Sequence, residues 1–256
     1  MSRFKDKVYL ITGATSGIGR DTALALAREG AKVAFTGRRE ERGRELEKEI
    51  KDAGGVGLYI KADSASEQDT KHAVELTVKT FGGLHGAFNN AAIEGEFVSY
   101  LEASYDTYRK VFDTNVWGIL ANLKHEIPAI LATVGPNGGG SVVNNSSVAG
   151  LLGFPNASVY VGSKHAVSGI TRTVALELAQ QGVRVNAIAP AVIETEMSQR
   201  AFGDDPELRA SLAAMHPIGR IGQPREITGP VLWLLSDESS FVTGQVIPAD
   251  GGLTAQ

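Results

Sequence analysis

Short apolar runs alternate with longer amphipathic stretches along the whole chain. Six runs are short and rich in β-branched or aromatic residues, as strands are: VYLIT at 8–12, VAFT at 33–36, LYIKA at 58–62, HGAFNN at 85–90, SVVNNSS at 141–147 and VRVNAIAP at 183–190. Apolar residues recur at helical spacing over six other segments: 17–29, 40–53, 66–80, 107–133, 158–181 and 224–236. This alternation predicts repeated βαβ units.

The predicted strands are almost continuously hydrophobic, which is typical of parallel strands covered by helices on both faces. We therefore predict an α/β fold with a doubly wound, mostly parallel, Rossmann-like sheet, in a single three-layer domain over residues 1–256. The turn-rich segment 135–140 is interpreted as a surface loop. Residues 194–216 follow a strand and contain Pro206, and we expect them to form a substrate lid of short helices.

Composition excludes several classes of function. The net charge of -4 provides no basic field for nucleic acid. No apolar run reaches the roughly 18 residues of a membrane-spanning helix, and the start of the chain does not resemble a signal peptide. We therefore expect a cytoplasmic protein that binds neither nucleic acid nor membrane.

The residue inventory also limits the chemistry. Cysteine is absent, which excludes disulfides and thiolate nucleophiles, and the five histidines have no ligand-like spacing. We expect no metal in the site. Hydroxyls, amines, amides and carboxylates must carry any reaction.

A glycine-rich turn lies between the first predicted strand and the first predicted helix. Its spacing is G-x3-G-x-G, with glycines that allow a tight turn and a close approach of phosphate to the backbone. The helix that follows offers free amides to an anion. A purely structural turn is the alternative. The candidate cofactor-binding residues here are Gly13, Ser16, Gly17, Ile18 and Gly19.

Polar residues follow the next strands at the edge where open α/β sheets bind ligands. Asp63 is a candidate for contact with an adenine, and Asn90 for stabilising the loop, although both types are common in ordinary turns. After the second strand, Gly37 stands where an acid would select NAD(H). Arg38 and Arg39 follow and could bind a 2′-phosphate, which predicts a preference for NADP(H) with NAD(H) possible. Pairing of these arginines with acids on the next helix is the alternative.

Tyr160 and Lys164 are four residues apart in a predicted helix, so they share a face. A nearby ammonium favours the phenolate and should lower the pKa of the tyrosine, which suits an acid/base. Such a pair also arises by chance on a solvated helix. Ser147 ends the preceding strand and could hold a substrate oxygen, and Asn115 is a poor interior helix residue that indicates a kink or a buried hydrogen-bond network, with simple capping as the alternative.

Taken in order, these motifs make the chain resemble the short-chain dehydrogenases/reductases over nearly its whole length, including bacterial secondary-alcohol dehydrogenases and carbonyl reductases. The resemblance extends through 190–195 and Asp250-Gly251-Gly252. It implies that Tyr160 is the acid/base, Lys164 lowers its pKa and binds the nicotinamide ribose, Ser147 orients the carbonyl, and Asn115 anchors a relay water. It also implies nicotinamide contacts from Pro190, Ile193 and Thr195.

The implied activity is hydride transfer between a nicotinamide cofactor and a ketone or secondary alcohol. The alternatives are a 3-oxoacyl-[carrier-protein] reductase, which a basic patch beside the cleft would favour, and a non-catalytic cofactor-binding regulator. Three residues depart from the family's pattern: Ala92, Ala191 and Asn145. Candidate pocket residues are mostly apolar and favour hydrophobic substrates: Ile93, Glu94, Ala149, Leu151, Leu152 and Phe154.

The resemblance further implies a homotetramer, and the apolar, strand-like C-terminal segment would need cover if it formed a sheet edge. The final Thr254-Ala255-Gln256 also resembles the end of members whose C-terminus lies at a subunit contact near a structural magnesium ion.

Overall fold

The computed structural model describes residues 3–135 and 138–256. At its centre, seven parallel strands pair in the order β3-β2-β1-β4-β5-β6-β7. The strands are β1 Val8–Ile11, β2 Lys32–Gly37, β3 Val56–Lys61, β4 Gly86–Asn89, β5 Gly140–Asn145, β6 Val183–Pro190 and β7 Val246–Ala249. The first six confirm the predicted strands, and the seventh lies in the apolar C-terminal segment. Of the predicted loop at 135–140, Pro136 and Asn137 lie outside the described residues.

Helices cover both faces of the sheet, which confirms the doubly wound, Rossmann-like architecture. They are α1 Gly17–Arg28, α2 Glu40–Asp52, α3 Glu67–Phe81, α4 Tyr105–Phe112, α5 Gly118–Val134, α6 Ser158–Leu178, α7 Glu196–Phe202, α8 Pro206–Ala214 and α9 Pro224–Leu235. Neighbouring residues of β1 point to opposite faces. Ile11 packs with residues of α1, α2 and α9, whereas Leu10 packs with residues of α3, α5 and α6. The site is therefore built on a sheet buried on both sides.

The chain changes direction across the sheet at β1. This strand pairs with β2 on one side and with β4 on the other. Loops that leave the carboxyl ends of β1 and β4 consequently diverge and open a crevice between them, where ligands bind in such sheets.

One predicted helix is interrupted. The helical pattern over 107–133 corresponds to α4 and α5, which are joined by a π-helical turn at Asp113–Trp117. The buried Asn115 lies in this turn, where its Oδ1 accepts a hydrogen bond from Ile93 N at 2.8 Å and its Nδ2 donates to Ile93 O at 2.9 Å. The π-helical turn interrupts the regular α-helical hydrogen bonding, and within it the Asn115 side chain holds the loop after β4.

The segment 194–216 contains α7 and α8. Thr195 caps α7, since its side chain accepts a hydrogen bond from Ser198 N at 3.2 Å. Asp205 caps α8 in the same way and Pro206 occupies the first turn, where its missing N–H costs nothing. The predicted helices of this segment are therefore present, and its movement as a lid stays a prediction.

Candidate active site

Two cavities meet at the carboxyl edge of the sheet. The first, which we call the polar cavity, has a volume of about 610 Å³. It contains nine of the predicted cofactor-binding residues: Gly13, Ser16, Gly17, Ile18, Arg38, Arg39, Asp63, Asn90 and Thr195. Gly19 lies behind its wall, and the remaining predicted residues lie in the second cavity. The predicted set apart from Gly19 therefore lines two adjoining cavities, which share Ile18 and Thr195.

The glycines of the first turn are required by close packing. Gly13 has a φ of +65°, and a Cβ there would lie 2.7 Å from Ala91 Cα. At Gly19 a Cβ would lie 2.5 Å from Asn90 Nδ2. That amide donates to Thr12 O and Gly13 O, both at 3.1 Å, and so fixes the turn. Backbone amides at the start of α1 are left facing the cavity without a side-chain cap.

The two arginines after β2 have different environments. Arg38 is largely exposed and its guanidinium lies 3.9 Å from the Asp63 carboxylate. Arg39 donates to Ser16 Oγ at 2.8 Å and to Glu196 Oε2 at 2.5 Å, so it connects the glycine turn with α7. The acids beside Arg38 and Arg39 are Asp63 and Glu196, and both lie outside α2. Arg38 therefore remains more accessible to an anion than Arg39.

Gly37 is a glycine for a steric reason as well. A Cβ there would lie 2.3 Å from Thr15 Cγ2 in the glycine turn. No side chain, acidic or otherwise, fits at this position unless Thr15 moves. An acidic side chain at this position would therefore displace Thr15, whereas the neighbouring Arg38 has a largely exposed side chain.

The second cavity, which we call the apolar cavity, has a volume of about 320 Å³. Ser147, Tyr160, Lys164, Pro190 and Ile193 line it. Its other walls are mainly apolar. The turn after β5, α7 and the end of α8 contribute Ala149, Phe154, Met197, Ala201, Phe202, Leu212 and Met215, and the loops after β4 and β6 and the C-terminal segment contribute Phe97, Val192 and Leu253. Of the candidate pocket residues, Ala149 and Phe154 lie here, Ile93 lines the polar cavity and Glu94 lines both, whereas Leu151 and Leu152 lie outside both linings.

The titration of Tyr160 differs from the sequence expectation. Burial raises its pKa to about 12, with the hydrogen bond to Ser147 lowering the pKa and the charge of Glu94 raising it. Burial also lowers the pKa of Lys164 to about 7. Its Nζ donates to Asn145 O at 2.8 Å and lies 5.6 Å from the centre of the Tyr160 ring. The expected lowering of the pKa of Tyr160 is thus wrong for the chain alone, because burial disfavours the charged form of both groups, the phenolate of Tyr160 and the ammonium of Lys164.

Asn115 reaches Tyr160 through the backbone of α6. Its Nδ2 donates to Ser163 Oγ at 3.1 Å, and that hydroxyl donates to Tyr160 O at 2.7 Å. Asn115 lies outside the lining of both cavities. Ser163 was absent from the sequence-based candidates, although its position between Tyr160 and Lys164 was a signal that could have identified it.

Asn145 was noted only as a departure and proves central to the site. It lines both cavities, its backbone oxygen holds Lys164, and its Nδ2 donates to Asn90 Oδ1 at 3.0 Å. Its Oδ1 is buried and has no hydrogen-bond partner among the described residues. A bound donor group would satisfy it. Together with the glycine turn, this orphaned acceptor fits a ligand that carries phosphates at one end and hydroxyl groups at the junction, as a nicotinamide dinucleotide does.

Within residues 3–135 and 138–256, no group of three or more acidic, histidine or cysteine side chains is placed to hold a metal ion. None of the helices in the same ranges is long and apolar enough to cross a membrane.

Comparison with known proteins yields consistent matches. A family model described as enoyl-(acyl carrier protein) reductase matches residues 13–254. Cyclohexanol dehydrogenase of Acinetobacter sp. (strain SE19) is 44% identical over 255 residues, covering 100% of this chain and 98% of the relative. The 2,5-dichloro-2,5-cyclohexadiene-1,4-diol dehydrogenase of Sphingobium indicum (strain B90A) is 43% identical, with 100% of both chains covered. The crystal structure of levodione reductase superimposes with a TM-score of 0.93 at 35% identity, over 99% of each chain.

Proposed function

The chain belongs to the short-chain dehydrogenase/reductase family, and we propose that it interconverts apolar ring ketones and ring secondary alcohols with a nicotinamide dinucleotide. The observation that carries this proposal is the junction of the two cavities. The glycine turn opens into the polar cavity, whereas Tyr160 and Ser147 open into an apolar one. Full-length relatives named for cyclohexanol and a cyclohexadiene diol support a ring substrate.

The roles of the chain's own residues follow from their positions. When bound, the nicotinamide supplies or accepts the hydride. Ser147 orients the substrate oxygen, and Tyr160 donates a proton to it during reduction or removes one during oxidation. Lys164 is held by Asn145 O at 2.8 Å, at the junction where a ribose would lie. Asn115 positions this face of α6 through Ser163.

The test is reduction of cyclohexanone and larger ring ketones, followed by the loss of reduced-cofactor absorbance. Turnover of ring ketones by the purified protein supports the proposal. Turnover confined to acyclic or sugar carbonyls would contradict it.

NADP(H) is the proposed preferred cofactor, with NAD(H) possible. Arg38 lines the polar cavity, is 68% exposed at its side chain and has only a loose contact with Asp63. A guanidinium in that position can pair with a 2′-phosphate through two hydrogen bonds. Arg38→Ala should raise the KM for NADPH about tenfold while changing that for NADH little, since one charged hydrogen-bonded pair contributes roughly 1.5–3 kcal/mol. Arg42→Ala, on the exposed face of α2, is the matched control; equal effects on both cofactors would refute the assignment.

The carrier-protein alternative receives no support from charge. Three arginines around the cleft described here are paired with carboxylates: Arg39 with Glu196, Arg200 with Glu94 and Arg209 with Glu194. Arg38 has a loose contact with Asp63, and a single loosely paired arginine is not a basic patch. An acidic carrier would need cations that are free to pair with it. The non-catalytic alternative is tested by the same turnover assay.

The segment 194–216 is the proposed substrate lid. Ala201, Phe202, Leu212 and Met215 face the apolar cavity. Thr195 and Met197, however, line both cavities, so exchanging the whole segment would disturb both ligands. Exchanging 201–216 should change the substrate profile and leave the cofactor preference intact. The reverse pattern would remove the lid assignment.

A homotetramer is the proposed assembly. Phe241 is fully exposed and Leu176 is 80% exposed, and β7 forms an edge of the sheet. Exposed apolar side chains and an open edge strand favour burial against another copy. Light scattering should report four times the 27.0 kDa of one chain, and a monomer at micromolar concentration would contradict this. The expected compartment is the cytoplasm, which fractionation of the producing cells tests.

A further inference from the structure

A single carboxylate lines the apolar cavity, and the steps above do not use it. Among the described residues that line this cavity, Glu94 is the one acidic side chain and Lys164 is the one basic side chain. The side chain of Glu94 is only 15% exposed. A carboxylate in a mainly apolar wall is costly unless its charge is compensated and its oxygens are hydrogen-bonded. Its presence in a cavity for apolar rings therefore requires an explanation.

Arg200 of α7 compensates the charge. Its Nε lies 3.1 Å from Glu94 Oε1, and its Nη2 lies 3.4 Å from Oε2. Arg200 lines the polar cavity but not the apolar one, so the ion pair crosses the boundary between them. A carboxylate has about four acceptor sites, and the two contacts with Arg200 leave acceptors for a ligand.

The backbone just before Glu94 is anchored. It follows Ile93, whose backbone N and O are both bonded to Asn115 in the π-helical turn. The charge of Glu94 also acts on Tyr160, the group at the reacting end of the apolar cavity. Both side chains also line the apolar cavity, so a substrate ring in that cavity has a proton donor at one side and a carboxylate acceptor at another.

We propose that Glu94 accepts a hydrogen bond from a second hydroxyl group of the substrate, so that the enzyme prefers ring diols or hydroxyketones to ring alcohols with one oxygen. This inference rests on the proposed function and specifies its substrate class. A site built to hydrogen-bond a hydroxyl discriminates against an analogue that lacks it, because the acceptor positions of the carboxylate that Arg200 does not use are then desolvated against carbon and left unsatisfied.

The experiment compares kcat/KM for 1,4-cyclohexanediol and cyclohexanol in the full-length enzyme. We expect the wild type to prefer the diol at least tenfold. Glu94→Leu should bring the ratio to about one, mainly by raising the KM for the diol, and Glu94→Gln should give an intermediate ratio because it retains an acceptor. Glu96→Gln, in the same loop but outside both linings, is the control and should keep the wild-type ratio.

A second variant separates recognition from support of α7. Arg200→Gln removes the ion pair but keeps the carboxylate, so the preference for the diol should persist. The inference would be overturned if Arg200→Gln lowered the diol-to-cyclohexanol ratio of kcat/KM as much as Glu94→Leu does. A wild type without a preference for the diol would overturn it as well. Failure of the wild type to oxidise any ring alcohol would instead refute the proposed function itself.

Discussion

The polar and apolar cavities lie side by side but are constructed differently. The polar cavity is formed largely by turns that leave β1, β2 and β4, where glycines and backbone atoms make up much of the wall. The apolar cavity is closed by side chains from α7, α8 and the turn after β5. The walls of the first are determined by tight backbone packing, whereas those of the second are determined by the size of side chains on helices outside the sheet.

This difference predicts different responses to substitution. A Cβ added to a glycine of the first turn would displace either nearby backbone or the Asn90 amide that holds the turn. We therefore expect a large loss of affinity for the cofactor. A side chain shortened on α8 leaves the sheet untouched and should alter substrate fit by degrees. Substitutions at the junction of the two cavities should lower kcat without changing the affinity for the cofactor or for the substrate.

The largest effect is expected at the junction. Tyr160→Phe removes only the phenolic oxygen, and a positioned acid/base contributes roughly 10²–10⁴ to the rate. We expect kcat to fall at least a hundredfold, with the dissociation constant for NADPH within twofold of the wild type. Steady-state kinetics and cofactor fluorescence measure the two quantities. A variant that kept a tenth of wild-type kcat would remove Tyr160 from the acid/base role.

The next effect concerns the polar cavity. Gly19→Ala places a Cβ 2.5 Å from Asn90 Nδ2, so the amide must release Thr12 O or Gly13 O. Loss of such a buried hydrogen bond costs about 1–3 kcal/mol, and we expect the dissociation constant for NADPH to rise roughly tenfold or more. Calorimetric titration measures it. Gly229→Ala, where a Cβ meets nothing within 4 Å, is the control; equal weakening in both variants would show that the packing of the turn is unimportant.

The effect on the apolar cavity should be smaller and selective. Leu212→Ala enlarges the cavity, and we expect the kcat/KM for cyclohexanone to fall about tenfold while that for bulkier ring ketones rises, since each methylene contact contributes roughly 1–3 kcal/mol. The KM for NADPH should not change. Leu208→Ala on the same helix, outside both linings, should behave as the wild type. Parallel losses for small and bulky ketones would mean that Leu212 supports the fold rather than shaping the cavity.

The smallest effect on turnover is expected at a buried carboxyl group of α5 that lies outside both cavity linings. The buried Glu126 accepts a hydrogen bond from Asn89 Nδ2 at 3.0 Å, and burial raises its pKa from 4.5 to about 8. The folded chain therefore keeps this proton up to about pH 8, whereas the unfolded chain releases it near 4.5. Stability contributed by the bound proton is lost as the pH rises across that window.

Glu126→Gln should lack this loss. Its Tm relative to the wild type should increase by roughly ten degrees between pH 5 and pH 8, because the bound proton contributes about 3–4 kcal/mol over that range and Tm changes by about 2–4 °C per kcal/mol for a chain of this size. Thermal unfolding at several pH values measures the difference, with the exposed Glu177→Gln as the control. A constant difference in Tm across this range would show that Glu126 is ionised in the fold.

The contrast between the cavities also explains what could be predicted from the sequence. The strands, the glycine turn and the order of Ser147, Tyr160 and Lys164 were predictable because each depends on local spacing. The turn at Asn115 was indicated only by a poor helix former, since its clamp on Ile93 joins residues 22 positions apart. The walls from α7 and α8 could be assigned to a segment but not to side chains, because their orientation depends on packing over the cleft.

One expectation failed and one interpretation was incomplete, and both have the same cause. The pKa of Tyr160 was expected to fall because Lys164 is near, and Gly37 was interpreted only as a missing acid. Burial reverses the first, and contact with Thr15 restricts the second. Spacing along a helix indicates which groups are neighbours, but not how much water or free space surrounds them.

The most direct test of the central claim is to follow the hydride itself. Purified protein is incubated with cyclohexanone and NADPH carrying deuterium at the transferable position of the nicotinamide, and the product is examined by mass spectrometry. The account predicts cyclohexanol with one deuterium on the carbinol carbon in the wild type, and at most about one hundredth as much of this product in the same time with Tyr160→Phe. A ketone left unreduced by the wild type, or an alcohol without deuterium, would contradict it.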